Sequence, residues 1–295
     1  MPHIRIQNAN AMSSCYTIGF PAMTAWLGAV HAWQRKLQLI PGLEDIVLDK
    51  TAVVSHQYQL QVYKNRNYSI IGTANPLKRN KKTGNFERPP FIEEARIHLD
   101  ITLVIEAKGI FVDNEDLCKT NLQTILWQTK LASGDVLSYQ DIKIQYVTED
   151  SDAIERKMIH RLMPGYVLIE RSELLQPKEN TSEDSLDMLL NNLSIYEYSN
   201  TNNENGEITW HAEKKEPGWL VPIAIGFKGI SPIDKVENQR DEMTDHCFVE
   251  SIVTLGEFRM AYRFKSLEDM MWHYEYDAAN QLYLCKNEMG GIYHV

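Results

Sequence analysis

The sequence is short of cysteine, of positive charge and of long apolar runs, and each shortage removes a class of function. Its four cysteines, Cys15, Cys118, Cys247 and Cys285, lie far apart and form no CxxC pair. That excludes a zinc ribbon or a dithiol redox motif, and the expected state is four buried or half-buried thiols without disulfides. No uninterrupted apolar run approaches the roughly 18 residues that a membrane-spanning helix needs. The amino terminus, MPHIRIQNAN, has no apolar stretch of the kind a secretion signal carries, so a cytoplasmic protein is expected. Nucleophile-elbow, Walker and HExxH spacings are missing, so no catalytic residue, metal ligand or cofactor is assigned.

Lysine and arginine number 30 against 40 aspartates and glutamates, a formal net charge of −10. Phosphate binding requires positive charge where the nucleic acid lies and not over the whole surface, so distribution decides. From Lys64 to Arg96 the chain is basic, with Lys78, Arg79, Lys81 and Lys82 close together. From Glu179 to Glu207 it carries seven acids and no lysine or arginine. Otherwise the composition, 43% hydrophobic and 24% charged over 295 residues, is that of a folded globular protein of about two domains.

What is present begins with a strand, Ile4 to Asn8, a loop rich in Asn, Ser and Thr, and a helix from near Pro21 to Gln34, Arg35 and Lys36. Proline costs nothing in a first helical turn, where its missing N–H would be unpaired anyway. Ala22, Ala25, Trp26, Ala29, Val30 and Trp33 recur at helical spacing and give the helix one face for a sheet. Val54, His56, Tyr58, Leu60 and Val62 then alternate, as do Ile97, Leu99, Ile101, Leu103 and Ile105. These read as an antiparallel pair carrying a protruding basic hairpin over 64–96, with turn residues at Asn75-Pro76 and Thr83-Gly84-Asn85.

A helix from Asp113 to Ser133, stopped by Gly134, is expected next. After it come a strand at Ile142, Ile144 and Tyr146, a helix from Asp152 to Met163 and a strand from Tyr166 to Glu170. This order gives an α+β fold with a ferredoxin-like, RRM-type core. A helix capped by Ser182, a polar loop through YSNTNNENGE, a strand in PGWLVPIAIGFKGISP, a helix at Asp269 to Trp272 opened by Ser266 and a hairpin around Gly290-Gly291 complete the reading. The expected division is a core over 1–175, an acidic connection over 176–216 and an α+β segment over 217–295.

Gln7 to Ala11, Ser13 and Ser14, Gly19 to Pro21, and His31, Ala32, Gln34 and Arg35 follow one another in an uneven, specific order. That order resembles the start of the small RNA-capping subunit family of the type I-F (Csy) CRISPR surveillance complex. RLMPGYVLIERSELL, PGWLVPIAIGFKGISP, FVESIVTLGEFR and DMMWHYEYD extend the resemblance over nearly the whole chain. It implies a non-catalytic subunit that pairs with the large subunit of the complex and holds the 5′ handle of the CRISPR RNA (crRNA). The same subunit would cap the filament beside an adjacent backbone subunit and meet target DNA only through the complex. In that family the 64–96 position holds an insertion called the thumb.

The residues carry two readings side by side. Asn8, Asn10, Ser13, Ser14 and Thr17 suit base edges and 2′-hydroxyls, with Tyr16 and Phe20 to stack, yet they would equally close a turn and cap the helix. His31, Gln34, Arg35 and Lys36 suit phosphate, yet cations also favour a helix carboxyl end. Arg66, Asn75, Lys78, Arg79, Lys81 and Lys82 form the basic excursion. Trp219, Lys228 and the Gly226 to Gly229 turn are a weaker set, and Arg156, Lys157, Arg161 and Arg171 a scattered one. The competing functions are a metal-independent repeat endoribonuclease using His31 and Tyr16 as acid and base, and a protein-only adaptor.

Overall fold

Strict alternation places the long strands. In the strand over Arg96–Lys108, Ile97, Leu99, Ile101 and Leu103 are all buried, while His98 and Asp100 between them turn outward. The computed structural model describes residues 1–65, 68–70, 78–87, 94–147, 152–176, 184–201, 208–239 and 241–287. Arg66, Asn75, Ser182 and the Gly290-Gly291 turn lie outside them.

The first half contains β1 (Ile4–Asn10), α1 (Met23–Leu37), β2 (Val47–Leu60), β3 (Tyr63–Asn65), β4 (Tyr68–Ile70), β5 (Lys78–Arg79), β6 (Phe86–Glu87) and β7 (Arg96–Lys108). Then follow α2 (Glu115–Gln128), β8 (Asp135–Ser138), α3 (Asp152–Arg161), β9 (Tyr166–Glu170) and α4 (Ser185–Leu193). Strands β10 (Ile195–Thr201), β11 (Ile208–Lys214), β12 (Trp219–Gly229), β13 (Val249–Met260), β14 (Trp272–Asp277) and β15 (Leu282–Asn287) complete the described chain. Among the described residues no helix is long and apolar enough to cross a membrane.

The protein is mixed α and β, with few helices and a large antiparallel sheet of nine strands in the order β14-β15-β12-β13-β9-β2-β7-β1-β8. A further pairing of Trp272 with Thr51 returns β14 to β2, so the strands from β14 to β2 close into a ring. Helix α1 packs on β2, β12, β14, β15 and α2, and its Met23, Trp26, Trp33 and Leu37 are completely buried. Val53 and Leu168 join this core, whereas their neighbours Ala52, Val54, Val167 and Ile169 point into a second core with Ile159 and Leu162. Because strand side chains alternate, α3 lies on the sheet face away from α1.

Several expectations are corrected by packing. Helix α2 ends at Gln128, and Ala132 and Ser133 take positive φ (47° and 66°) in the turn that follows. Gly134 caps nothing; it lies so close to β1 that a Cβ would sit 2.8 Å from Ala9 N. The next strand is Asp135–Ser138, paired along the outer edge of β1, and Ile142, Ile144 and Tyr146 form no strand. Gly226 and Gly229 belong to β12 and make no turn: a Cβ on Gly226 would meet Tyr283 O at 2.0 Å.

On either side of 202–207, which lie outside the described residues, Tyr196, Tyr198 and Trp210 favour strands. β10 and β11 pair from Ile195 with Lys214 to Thr201 with Ile208, so Tyr198–Thr201 of the expected polar loop is strand. Asp184 caps α4, accepting from Asp187 N at 2.8 Å. Ser266 opens only a 3₁₀ turn, Glu268–Met270, and Trp272 begins a strand. The last described hairpin is β14–β15. Of the thiols, Cys118 and Cys285 are buried and Cys247 is half-buried, but Cys15 is exposed.

Where β13 meets β9, the buried Glu257 accepts hydrogen bonds from Arg171 and from Arg259, the latter at 2.8 Å. Burial pushes its carboxyl up, but the Arg259 and Arg171 hydrogen bonds outweigh burial and hold it below the usual carboxylate range. A depressed folded value means that the contribution is complete above the unfolded value near 4.5 and is lost as pH falls through the lower folded one. Glu257→Gln is therefore expected to flatten the acid limb of the stability curve and lower stability at neutral pH, where the Arg259 guanidinium loses its carboxylate partner and Arg171 is left with Glu173. Urea unfolding at a series of pH values checks both effects.

Candidate nucleic-acid interface

Strand register decides which of the expected residues meet. β1 runs from Ile4 opposite Ile101 to Asn10 opposite Arg96, and β2 from Val47 opposite Lys108 to Leu60 opposite Ile97. One end of the sheet therefore gathers Asn10, Leu60 and Arg96, and the other Val47 and Lys108. The polar loop leaves β1 at the first end, where the basic excursion also leaves β2 and re-enters β7. The carboxyl end of α1 belongs to the second end, because Gln34 Oε1 accepts from Leu48 N at 2.8 Å. Arg35 and Lys36 are exposed there, and His31 stacks on Tyr274 at 5.9 Å. A helix rising 1.5 Å per residue puts about 20 Å between the loop and this tail, so the two sets belong to separate surfaces.

At the first end, Asn8 sits at a register shift in β1 with φ of 57°. Its N–H donates to His98 Nδ1 at 3.1 Å, and Arg96 Nη1 donates to its carbonyl at 3.3 Å. The Gln61 side-chain amide bridges Asn8 Oδ1 (2.8 Å) and His98 Nε2 (3.0 Å). Beside this network runs a shallow groove of about 190 Å³ whose polar lining is Arg5, Gln7, Gln57, Gln59, His98 and Asp100, with Leu137 and Tyr58 among its apolar members.

In the loop, hydroxyls hold one another. Thr17 Oγ1 lies 2.9 Å from Ser13 Oγ and 2.7 Å from Ser14 Oγ, and Ser14 Oγ accepts from Tyr16 N at 3.1 Å. Asn10 closes a turn on Met12, accepting from its N–H at 3.0 Å and donating to its carbonyl at 3.1 Å. Turn closure thus uses Asn10, Ser13, Ser14 and Thr17, and Ser14 and Thr17 are buried. Phe20, expected to stack on a base, is buried between Trp26 (5.6 Å) and Phe258 (5.1 Å) and is unavailable for that. Tyr16, 81% exposed at the loop tip, is free to stack.

Among the described residues of the excursion there are two short ribbons. β3 pairs with β4, and β5 with β6, Lys78 opposite Glu87 and Arg79 opposite Phe86. Asn80 shapes the second turn: its Oδ1 accepts from Lys82 N at 2.9 Å, its carbonyl accepts from Gly84 N at 2.9 Å, and Gly84 takes φ of 75°. Arg79 Nε donates to Gly84 O at 3.1 Å. Lys81, Lys82 and Phe86 are exposed around this turn, pairing cations with an aromatic ring as single-stranded binding surfaces do.

A family model described as CRISPR-associated protein (Cas_Csy2) matches residues 1–285. A curated relative, CRISPR-associated protein Csy2 of Pseudomonas aeruginosa (strain UCBPP-PA14), is 31% identical over 313 residues, covering 96% of this chain and 93% of that protein. The chain belongs to the Csy2 family. The family resemblance carried by the amino-terminal motif is thereby borne out. In this Csy2-family protein, sequence reasoning missed Arg5, Gln7, Gln57, Gln59, Gln61 and His98, and counted Arg96 only as charge. Their signal was present as the polar members of the alternations whose apolar members marked the core.

Proposed function

We propose that this protein is a non-catalytic RNA-binding subunit of a type I-F Csy complex in antiviral defence. In this reading it holds the 5′ handle of the crRNA with the large subunit and caps the filament beside an adjacent backbone subunit. It works in the cytoplasm and meets target DNA through guide pairing in the complex. The family match over nearly the full chain is the observation that carries the reading. The handle-binding surface is the first end of the sheet: Asn8, Arg96, His98, the tip at Tyr16, and the Arg79, Lys81 and Lys82 turn. Arg35 and Lys36 serve a different contact, at the far end.

We also propose a ferredoxin-like core. The partial order β8-β1-β7-β2, with α1 joining β1 to β2 and α2 joining β7 to β8 on one face, supports it. Strands of 217–295 then extend the core sheet, and 176–216 is the connection to them. The endoribonuclease alternative needs His31 and Tyr16 together, whereas His31 lies on Tyr274 and Tyr16 beside Cys15 and Glu250.

Purification of the tagged chain with the other subunits and a repeat array tests the proposal. A discrete guide-length RNA is expected to accompany it, and repeat RNA incubated with the chain alone stays intact. Absence of RNA from the assembled complex, or metal-independent cleavage lost in His31→Ala, would sink it.

A further inference from the structure

We propose a second site for single-stranded nucleic acid, in the pocket between α3 and the turn at Ala261–Lys265, taking one nucleotide and its flanking phosphates. The pocket is a cavity of about 350 Å³ lined by Arg156, Ile159, His160, Tyr262, Phe264 and Lys265. Arg156 and His160 stand four residues apart on α3 and so face the same way. Ile159 and Phe264 are buried in the second core and make an apolar floor. The turn is fixed to the scaffold, since Ala261 N donates to Gly165 O at 3.0 Å and Phe264 N to Ala261 O at 3.1 Å. Tyr262 is thereby held at the rim, 53% exposed.

In a chain of net charge −10, a concave site with three basic side chains departs from an ordinary solvated face. Among the described residues Arg156, His160 and Lys265 form no ion pair, whereas Arg171, grouped with Arg156 by sequence, is taken by Glu173 and Glu257. An aromatic ring beside these cations over an apolar floor suits a base stacked on Tyr262, with phosphates on Arg156 and Lys265. An acidic protein segment would use the cations but leave the ring and floor without a role. Pro164 and Gly165 lie between the pocket and β2, the first bonded to His56 Nδ1 (2.7 Å) and the second to the pocket turn. Its existence does not depend on the handle reading.

The test is an anisotropy titration of the full chain with labelled octathymidylate and octauridylate. Tyr262→Ala is expected to weaken binding about tenfold, within the range for loss of one stacked base. Arg156→Glu with Lys265→Glu weakens it further and makes the salt dependence shallower, while Tyr262→Phe binds like the parent. Preference for one probe names the source as RNA or DNA, and either supports the site. Unchanged affinity in the Tyr262→Ala and Arg156→Glu/Lys265→Glu variants overturns it, and if Lys81→Glu with Lys82→Glu still weakens binding the handle reading survives alone. Loss on charge reversal only, with Tyr262→Ala silent and polyglutamate competing, assigns the pocket to an acidic protein and also overturns it.

Discussion

Reversing Lys81 and Lys82 to glutamate is expected to weaken retention of the guide RNA by about tenfold or more near physiological salt, with little change in stability. Both side chains are exposed and, among the described residues, make no ion pair, so nothing in the fold rests on them. Their turn is shaped by Asn80, by the Gly84 backbone and by the Arg79 bond to Gly84 O, all of which the substitutions leave in place. Surface changes of this kind stay within about 0.5 kcal/mol. On RNA the effect is larger, because each phosphate contact releases counterions. Losing one lowers the slope of log affinity against log salt by about 0.7 on a single strand. Filter binding of crRNA at four salt concentrations, with thermal melts of the same variants, checks both halves. Unchanged affinity and slope would remove the β5–β6 turn from the RNA surface, and with assembly also lost would favour the protein-only adaptor.

Legibility in the sequence followed periodicity. β7 and α1 were readable because alternation and helical spacing reflect burial against one sheet, and Tyr166–Glu170 was readable as an apolar run after a Pro-Gly break. β2 was readable as a strand but not in its facing, since the bulge between Ser55 and Gln57 puts Val54 in the second core and Leu60 against the first, and Val62 lies beyond its end. What failed was whatever packing decided at long range. Gly134 looks like a helix stop, yet its smallness serves the approach of β1. Phe20 sits in a polar loop and looks exposed, yet the ring of strands brings Phe258 onto it from the far end of the chain. In the site, residue types were legible but their company was not. His31 to Lys36 are near the loop in sequence, but α1 carries them about 20 Å from it and the bond of Leu48 N to Gln34 Oε1 places them at the other end of the sheet. The same limit explains the missed groove, since Arg5, Gln57 and His98 come from three strands whose order no local pattern states.

Trp272→Ala is expected to be the most damaging single substitution considered. Sequence context suggested a short helix there; the structure makes Trp272 the first residue of β14 and the point where the sheet closes, opposite Thr51 of β2 and Asn287 of β15. Its side chain is 0% exposed, and its Nε1 donates to Leu168 O at 2.8 Å in the middle of β9. Truncation opens a cavity in the core around α1, at about 3–5 kcal/mol for a large aromatic residue. It also leaves the Leu168 carbonyl buried without that donor. Against a typical total of 5–15 kcal/mol this is a large share, and it corresponds to a fall in Tm of roughly 10 °C or more. Trp272→Phe separates the two causes: it keeps most of the apolar volume and loses the N–H, so about 1–3 kcal/mol is expected from the unmet carbonyl. Urea unfolding of both variants measures the difference, and an alanine variant melting within 2 °C of the parent would mean that closure of the ring at Thr51 does not hold the fold together. Because α1 is enclosed by the same strands, a loosened ring is also expected to free Phe20 and the Tyr16 loop. The alanine variant should then bind guide RNA more weakly than its residual folded fraction accounts for.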